Sequence, residues 1–153
     1  MAEKLQEIVI PKEKAVFWLD KNGFWNNKGG KFEHKKIIDF FHASIRKDEA
    51  GYYLFQTRDN YREKVYFHYE DTALFVFDVI KNKDVTLVLN TGKQIMLEPG
   101  NLSIHNDSLY VQLGNEWAKF TERSLLKISD LMEFIDGDYF LRMDKRKYKL
   151  KER

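Results

Sequence analysis

Hydrophobic and polar positions alternate with period two along much of this chain and recur at helical spacing in two places, which is the signature of strands interrupted by two helices. Phe17-Trp18-Leu19 and Phe24-Trp25 flank Lys21-Asn22-Gly23. An Asn-Gly pair between two aromatic runs predicts a β-hairpin, because both residues tolerate positive φ. From His34 to Arg46, Ile37, Ile38, Phe41 and Ile45 recur at helical spacing, while Lys35, Lys36, Asp39, His42 and Arg46 fall mostly elsewhere. This predicts an amphipathic helix over 34–46, with Gly51 shortly beyond it. Tyr52 to Thr57 and Glu63 to Glu70 read as a second hairpin. In its later strand Val65, Phe67 and Tyr69 point one way, and Lys64, Tyr66, His68 and Glu70 the other.

Ala73 to Ile80 and Val85 to Leu89 are rich in β-branched and large apolar residues, and are predicted to be buried strands in the middle of the sheet. Asn90-Thr91-Gly92-Lys93, Pro99-Gly100-Asn101, Asn106-Asp107 and Gly114-Asn115 then punctuate short strands, including Leu109 to Leu113 and Glu116 to Phe120. Thr121 fits an N-cap for a second helix over 121–135. There Leu125, Ile128, Met132 and Ile135 would line one face, with Gly137 as the stop. Tyr139 to Arg142 and Tyr148 to Leu150 are expected to be short closing strands.

The two helical segments have similar surroundings. Lys31-Phe32 recurs as Lys119-Phe120, 88 residues on, and at the same offset Ile37 and Ile38 match Leu125 and Leu126. Each helix leads into a glycine and an aromatic strand, Gly51-Tyr52-Tyr53-Leu54 and Gly137-Asp138-Tyr139-Phe140. Two readings stay open: a repeated strand-helix-strand motif, or two unrelated amphipathic helices packed on one sheet. The fold class expected is therefore α+β, with mostly antiparallel twisted sheet covered by two amphipathic helices. One compact unit over 1–153 is expected, with two structural halves, about 12–80 and 81–150, as the finer division.

Composition narrows the function classes. The 153 residues contain no cysteine, which excludes disulfides, thiolate catalysis and sulfur-ligated metal sites, and suits a reducing cytoplasm. Met1 to Glu7 is charged and helix-tolerant, without the apolar core of a signal peptide. The longest near-continuous apolar stretch, Ala73 to Ile80, is interrupted by Asp78 and far short of a membrane span. A formal net charge of +2, with 33% charged residues, gives a surface of mixed sign. Nucleic acid is accordingly disfavoured as a partner on overall charge. Aromatic residues make up 15% of the chain, which suits strands.

Several runs carry a resemblance: Asp20-Lys21-Asn22-Gly23-Phe24-Trp25, Gly29-Gly30, Asp48 to Leu54, and Glu63-Lys64-Val65 followed by Tyr69-Glu70-Asp71-Thr72-Ala73. Leu87-Val88-Leu89-Asn90-Thr91 and the Leu109-Tyr110-Val111 to Phe120 segment extend it. From Val16 to Phe134 the chain resembles the bacterial family called domain of unknown function 1285. The resemblance implies a soluble bacterial protein of mixed α/β structure built from a repeated motif, with a role in signalling or ligand binding, and it carries over no catalytic residues. The chain departs from that pattern in Arg58-Asp59-Asn60-Tyr61-Arg62 and in the basic stretch after Phe140.

Candidate chemistry is sparse. The histidines His34, His42, His68 and His105 lack the spacing that sets metal ligands on one helical face, so no metal and no cofactor is expected. No phosphate-binding glycine loop and no nucleophile-elbow serine is present, so no catalytic residue is assigned. His68, Glu70 and Asp71 form the best local acid-base cluster, and read first as a solvated strand end. Trp18, Trp25 and Trp117, with Phe24 and Tyr110, would line an aromatic cleft or pack in a core. Beside Trp25, the cations Lys28, Lys31, Arg62 and Lys64 are the groups able to hold an anion. Arg142 to Arg153 carries seven basic residues against two acidic ones. That stretch reads as a lysine-protected edge strand, or as a contact for nucleic acid or an anionic surface. The leading expectation is a non-catalytic cytoplasmic binding or regulatory module for a small anionic molecule or a protein partner. A small enzyme using His68, Glu70 and Asp71, and nucleic-acid contact through the basic tail, are the alternatives.

Overall fold

Period-two alternation sorts the side chains of the first sheet into an inner and an outer set. Strand β1 (Gln6–Ile10) pairs in parallel with β7 (Tyr61–Tyr66); β7 pairs antiparallel with β6 (Gly51–Arg58), and β6 with β5 (Ile45–Asp48). The register aligns Ile45, Leu54, Val65 and Ile10 in one row across this sheet. Leu54 is fully buried, and Ile45 and Val65 nearly so. The computed structural model describes residues 6–153. Of the charged stretch Met1 to Glu7, residues 1–5 lie outside the described residues, and Gln6 opens a strand.

The chain divides into two units, the first ending at Ala73 and the second spanning Leu74–Arg153. In the first, β2 (Phe17–Leu19) and β3 (Trp25–Asn27) form the expected hairpin, and β4 (Gly30–Lys31) adds to β3. Gly23 takes a φ of 86° in the hairpin loop, a conformation a β-carbon would strain. Helix α1 (Lys35–Ala43) follows, then β5, β6 and β7 as a meander. The chain leaves that sheet at Phe67, and β8 (His68–Tyr69) pairs in parallel with β2, giving the order β4-β3-β2-β8. Glu63 to Glu70 is therefore two strands in two sheets. Phe67 between them is fully buried.

Helix α1 is shorter than its pattern suggests, because Ile45 is already in β5 and bonded across to Leu54. Its inward stripe also differs from the expected one. Ile37 is 46% exposed, whereas His42, assigned to the polar side, is 2% exposed. Ile38, Phe41, His42 and Ile45 keep helical spacing, so the stripe has turned by one position.

In the second unit β9 (Leu74–Lys81) pairs with β10 (Val85–Leu89), which pairs with β11 (Gln94–Met96). Lys81 to Asp84 is the connection inside this paired hairpin, so the division of the chain falls earlier, at Ala73. On its other side β9 runs parallel to β14 (Glu116–Phe120), followed in the sheet by β13 (Ser108–Leu113) and β12 (Leu102–His105). Phe75, Val76, Leu87 and Ala118 are buried there. Asn90 pins the centre: its Oδ1 accepts from the Phe75 amide at 2.9 Å and its own amide donates to the Phe75 carbonyl at 2.8 Å.

Helix α2 (Glu122–Ile128) begins at the expected cap. Thr121 Oγ1 accepts from the Ser124 amide at 3.2 Å, and buried Ser124 Oγ donates to the Val76 carbonyl at 2.7 Å. The helix ends well before 135: a 3-10 turn covers Ser129–Leu131, and Met132–Ile135 is strand β15. β15 pairs with β16 (Asp138–Met143) and β16 with β17 (Arg146–Lys149). Gly137, read as a helix stop, sits in the β15–β16 turn with a φ of 86°, beside Asp136 at 48°. The helical spacing of Met132 and Ile135 misleads because two residues three apart extend the stripe of Leu125 and Ile128, while pairing with β16 makes 132–135 a strand with the two on opposite faces. Strand β18 (Lys151–Glu152) closes the sheet beside β12, giving the order β11-β10-β9-β14-β13-β12-β18.

Leu54→Ala should lower unfolding free energy by about 2–5 kcal/mol through the cavity it leaves. Thr121→Ala should cost about 1 kcal/mol through the lost cap. Urea denaturation followed by circular dichroism reads both, and a Leu54→Ala change near zero would contradict the core described here.

Candidate functional site

An aromatic cluster forms the core of the first unit and, through Phe32 and Phe41, part of the wall of a pocket. Trp25 is 1% exposed and meets Phe67 at 5.0 Å, Phe41 at 5.3 Å and Phe17 at 5.7 Å between ring centroids, all close to edge-to-face. Such pairs contribute about 0.5–1.5 kcal/mol each beyond burial. Phe32, on the connection between β4 and α1, extends the cluster to Phe41 at 5.2 Å. Beside these rings opens a pocket of about 560 Å3, whose apolar wall is Phe32, Ile37 and Phe41 and whose polar rim includes Asn27, Lys31 and His34.

Local turn chemistry shapes the rim. Asn27 Oδ1 accepts from the Gly29 amide at 2.8 Å, which closes the β3–β4 turn. A β-carbon on Gly29 would stand 3.2 Å from that same oxygen, so the turn favours glycine there. Gly30 takes a φ of 110° and lets β4 begin at once. Lys31 follows, its Nζ 4.5 Å from the centroid of the Phe24 ring, a cation–π contact at the mouth of the pocket. His34 stands at the N-terminus of α1 and makes no side-chain cap.

His42 is buried in the same cluster, its ring 5.6 Å from Trp25. Burial lowers its pKa to about 4, against a smaller opposing pull from Asp39. The imidazole is neutral at neutral pH. The Trp25 indole Nε1 is buried without a hydrogen-bond partner among the described residues, so the cluster is held by packing.

The residues singled out in the sequence fall in three places. Trp25 is core. Lys31 is on the pocket rim, and Lys28 is exposed in the adjoining turn. Arg62 and Lys64 are on β7, in the other sheet, on its outer face. Lys64 Nζ lies 3.2 Å from Asp48 Oδ2, 3.5 Å from Glu7 Oε1 and 4.7 Å from the Tyr53 ring. The Tyr66 hydroxyl donates to the same Asp48 oxygen at 2.6 Å. That bond, with help from Lys64, holds the Asp48 carboxyl below the usual carboxylate range and pushes the Tyr66 phenol up. Lys64 is pushed up in turn, chiefly by Asp48.

His68, Glu70 and Asp71 are exposed on β8 and the turn after it. Glu70 Oε2 accepts from the Lys21 amide at 3.0 Å, so its carboxylate secures the β2–β3 loop. Among the described residues no group of His, Asp and Glu is arranged to hold a metal ion. Of the other aromatics, Tyr110 is buried and Trp117 half-buried in the second unit, where the Arg153 guanidinium lies 3.8 Å from the Trp117 centroid. The basic stretch is built into strands: Arg142 and Lys147 pair with Glu133 at 2.7 and 3.0 Å, and Lys149 with Asp138 at 3.4 Å.

Two units of strand and single helix, one carrying an open pocket with aromatic lining, define an α+β protein. Its fold is that of DUF1285 proteins. The crystal structure of a DUF1285 family protein from Silicibacter pomeroyi DSS-3 superposes with a TM-score of 0.62 at 18% identity, covering 96% of this chain and 84% of that one. One from Shewanella baltica OS155 gives 0.53 at 17% identity, covering 78% of this chain and 94% of the other. No protein-family model and no curated protein matches the sequence. No helix among the described residues is long and apolar enough to cross a membrane.

The low pKa of His42 sets a pH dependence. The unfolded imidazole, near 6.5, binds a proton that the folded one refuses until about pH 4, so stability is fully present above 6.5 and falls as pH drops towards 4. The whole shift corresponds to about 3 kcal/mol. His42→Leu should flatten the urea midpoint between pH 6.5 and 4 relative to the unmodified protein. Parallel curves for the two proteins would contradict it.

Proposed function

We propose that this protein is a non-catalytic, cytoplasmic bacterial binding or regulatory module, and that its first unit takes a small anionic ligand in the pocket between the β3–β4 turn and α1. One observation supports this above the rest: a cation, Lys31, stands at the rim of a pocket whose wall is apolar and aromatic. Pockets that bind small molecules combine such walls with a few polar groups that fix orientation. An amphipathic anion, with a carboxylate or phosphate towards Lys31 and His34 and an apolar body against Phe32, Ile37 and Phe41, is the ligand class that fits. Glu33, also on the pocket, would disfavour a second negative charge.

The regulatory part of this reading draws on the shared path of the two units. Each runs three strands, a helix, a three-stranded meander and a short strand that returns beside the first: β2 to β8 in one, β12 to β18 in the other. We take the halves to be copies of one motif. In the first the pocket carries the ligand; the second offers exposed apolar groups, Leu126 at 76% and Phe134 at 62%, to a protein partner.

Thermal melting against a panel of aliphatic and aryl carboxylates and phosphates should give a saturable upward shift for some members. Lys31→Glu and Ile37→Asp should each abolish it. A panel in which nothing moves the melting temperature, or a shift that both variants retain, would overturn the assignment.

A further inference from the structure

The outer face of the β1-β7-β6-β5 sheet is a second surface, separate from the pocket. Register aligns Arg46 with Tyr53 and Tyr53 with Tyr66, Phe55 with Lys64, and Thr57 with Arg62, so these side chains share the face opposite the buried row of Ile45, Leu54 and Val65. The three rings are half-buried and adjoin: Tyr53 lies 5.4 Å from Tyr66 and 6.5 Å from Phe55. Cations are interleaved with them, Arg46 5.7 Å from the Phe55 centroid and Lys64 4.7 Å from that of Tyr53.

We propose that this face binds single-stranded nucleic acid, with bases stacking on Tyr53, Phe55 and Tyr66 and phosphates held by Arg46 and Arg62. Aromatic rings accept any base because every base has a π-face, and cations between them meet the phosphates that alternate with bases along a strand. The spacing of side chains on one sheet face, about 5–7 Å, is of the order of one nucleotide step. The two carboxylates on the face are already engaged. Asp48 accepts from Tyr66 and Lys64, and Glu7 pairs with Lys64, which leaves Arg46 and Arg62 to face the backbone. A duplex hides the base faces that the rings would engage, so single strands are the preferred form. The formal charge of +2 is no obstacle, since binding depends on the local array and not on the mean field.

Fluorescence anisotropy of the full chain with a labelled oligothymidylate of about a dozen nucleotides tests this. Binding at low salt should weaken with a log–log slope of about −1.4, set by two phosphate contacts. The double variant Tyr53→Leu, Phe55→Leu keeps apolar bulk and should lose roughly tenfold affinity per ring, while keeping its melting temperature. Arg46→Gln should make the slope shallower. A duplex of matched length should bind at least roughly tenfold more weakly. No binding at low salt would overturn the proposal, as would a folded double variant that binds like the unmodified chain, or a duplex or heparin binding as well as the single strand. Loss of binding in Lys145→Glu, Arg146→Glu with the sheet face intact would move the site to the β16–β17 turn, and would also overturn it.

Discussion

Each unit depends on one short parallel pairing between its last strand and an early one. Trp18 and Leu19 of β2 pair with His68 and Tyr69 of β8; Ser103 and Ile104 of β12 pair with Lys151 and Glu152 of β18. Each pairing closes a loop of about 50 residues, whose entropy is considerable and must be offset elsewhere. The offset comes from what the closure buries. In the first unit Leu19 beside it and Phe67 just before it are fully buried, and Trp25 sits opposite Leu19 in the hairpin. In the second, Leu150 is buried immediately before β18, and Leu102 at the start of β12.

The aromatic cluster links this closure to the pocket. Trp25 contacts Phe67, which the returning chain brings in, and Phe41, which α1 contributes and which also lines the pocket, so hairpin, helix and returning strand meet in one core beside it. His42 is the polar member of that set, and burial keeps it neutral at neutral pH. A charged imidazole against Trp25 would bring an ion into an apolar core, which is far more costly than burying the neutral ring. The pocket rim, by contrast, is made of turn residues whose conformations are fixed locally by Asn27 and two glycines.

Much of this was legible in the residues. The Asn22-Gly23 hairpin, the cap at Thr121, the central strands around Phe75 and Leu87, and the turn at Asn106-Asp107, where both residues have positive φ, follow from local rules and stand in the structure. Legibility failed where tertiary context decided between two periods. Met132 and Ile135 satisfy a helical stripe, yet pairing with β16 makes them strand. Glu63 to Glu70 alternates without a break, but the need to pair β8 with β2 divides it at Phe67. His42 was readable in principle, being four residues after Ile38 and one after Phe41; residue type argued for the surface and spacing for the core. The candidate cations were chosen for charge, and nothing local indicates that Lys31 borders a pocket while Arg62 and Lys64 occupy another sheet.

Cations in this molecule are held in two ways, against acids and over aromatic rings. In the second unit five cations pair with acids: Lys81 with Asp130 at 2.6 Å, Lys127 with Asp78, and Arg142, Lys147 and Lys149 with Glu133 and Asp138. The contact with Lys127 holds the Asp78 carboxyl below its usual range. Exposed pairs of this kind contribute little to stability, but they leave the surface locally neutral. In the first unit Lys31, Arg46 and Lys47 lie over aromatic rings. A cation over a ring keeps its full charge and its outward hydrogen-bonding capacity, since the ring donates only a quadrupole. A near-neutral sum over the chain therefore conceals both arrangements in each unit: Lys35 pairs with Asp39 and Lys64 with Asp48 and Glu7 in the first, and Arg153 lies over Tyr110 and Trp117 in the second. Cations over rings at the edge of an apolar wall occur at the pocket and on the aromatic sheet face, both within the first unit.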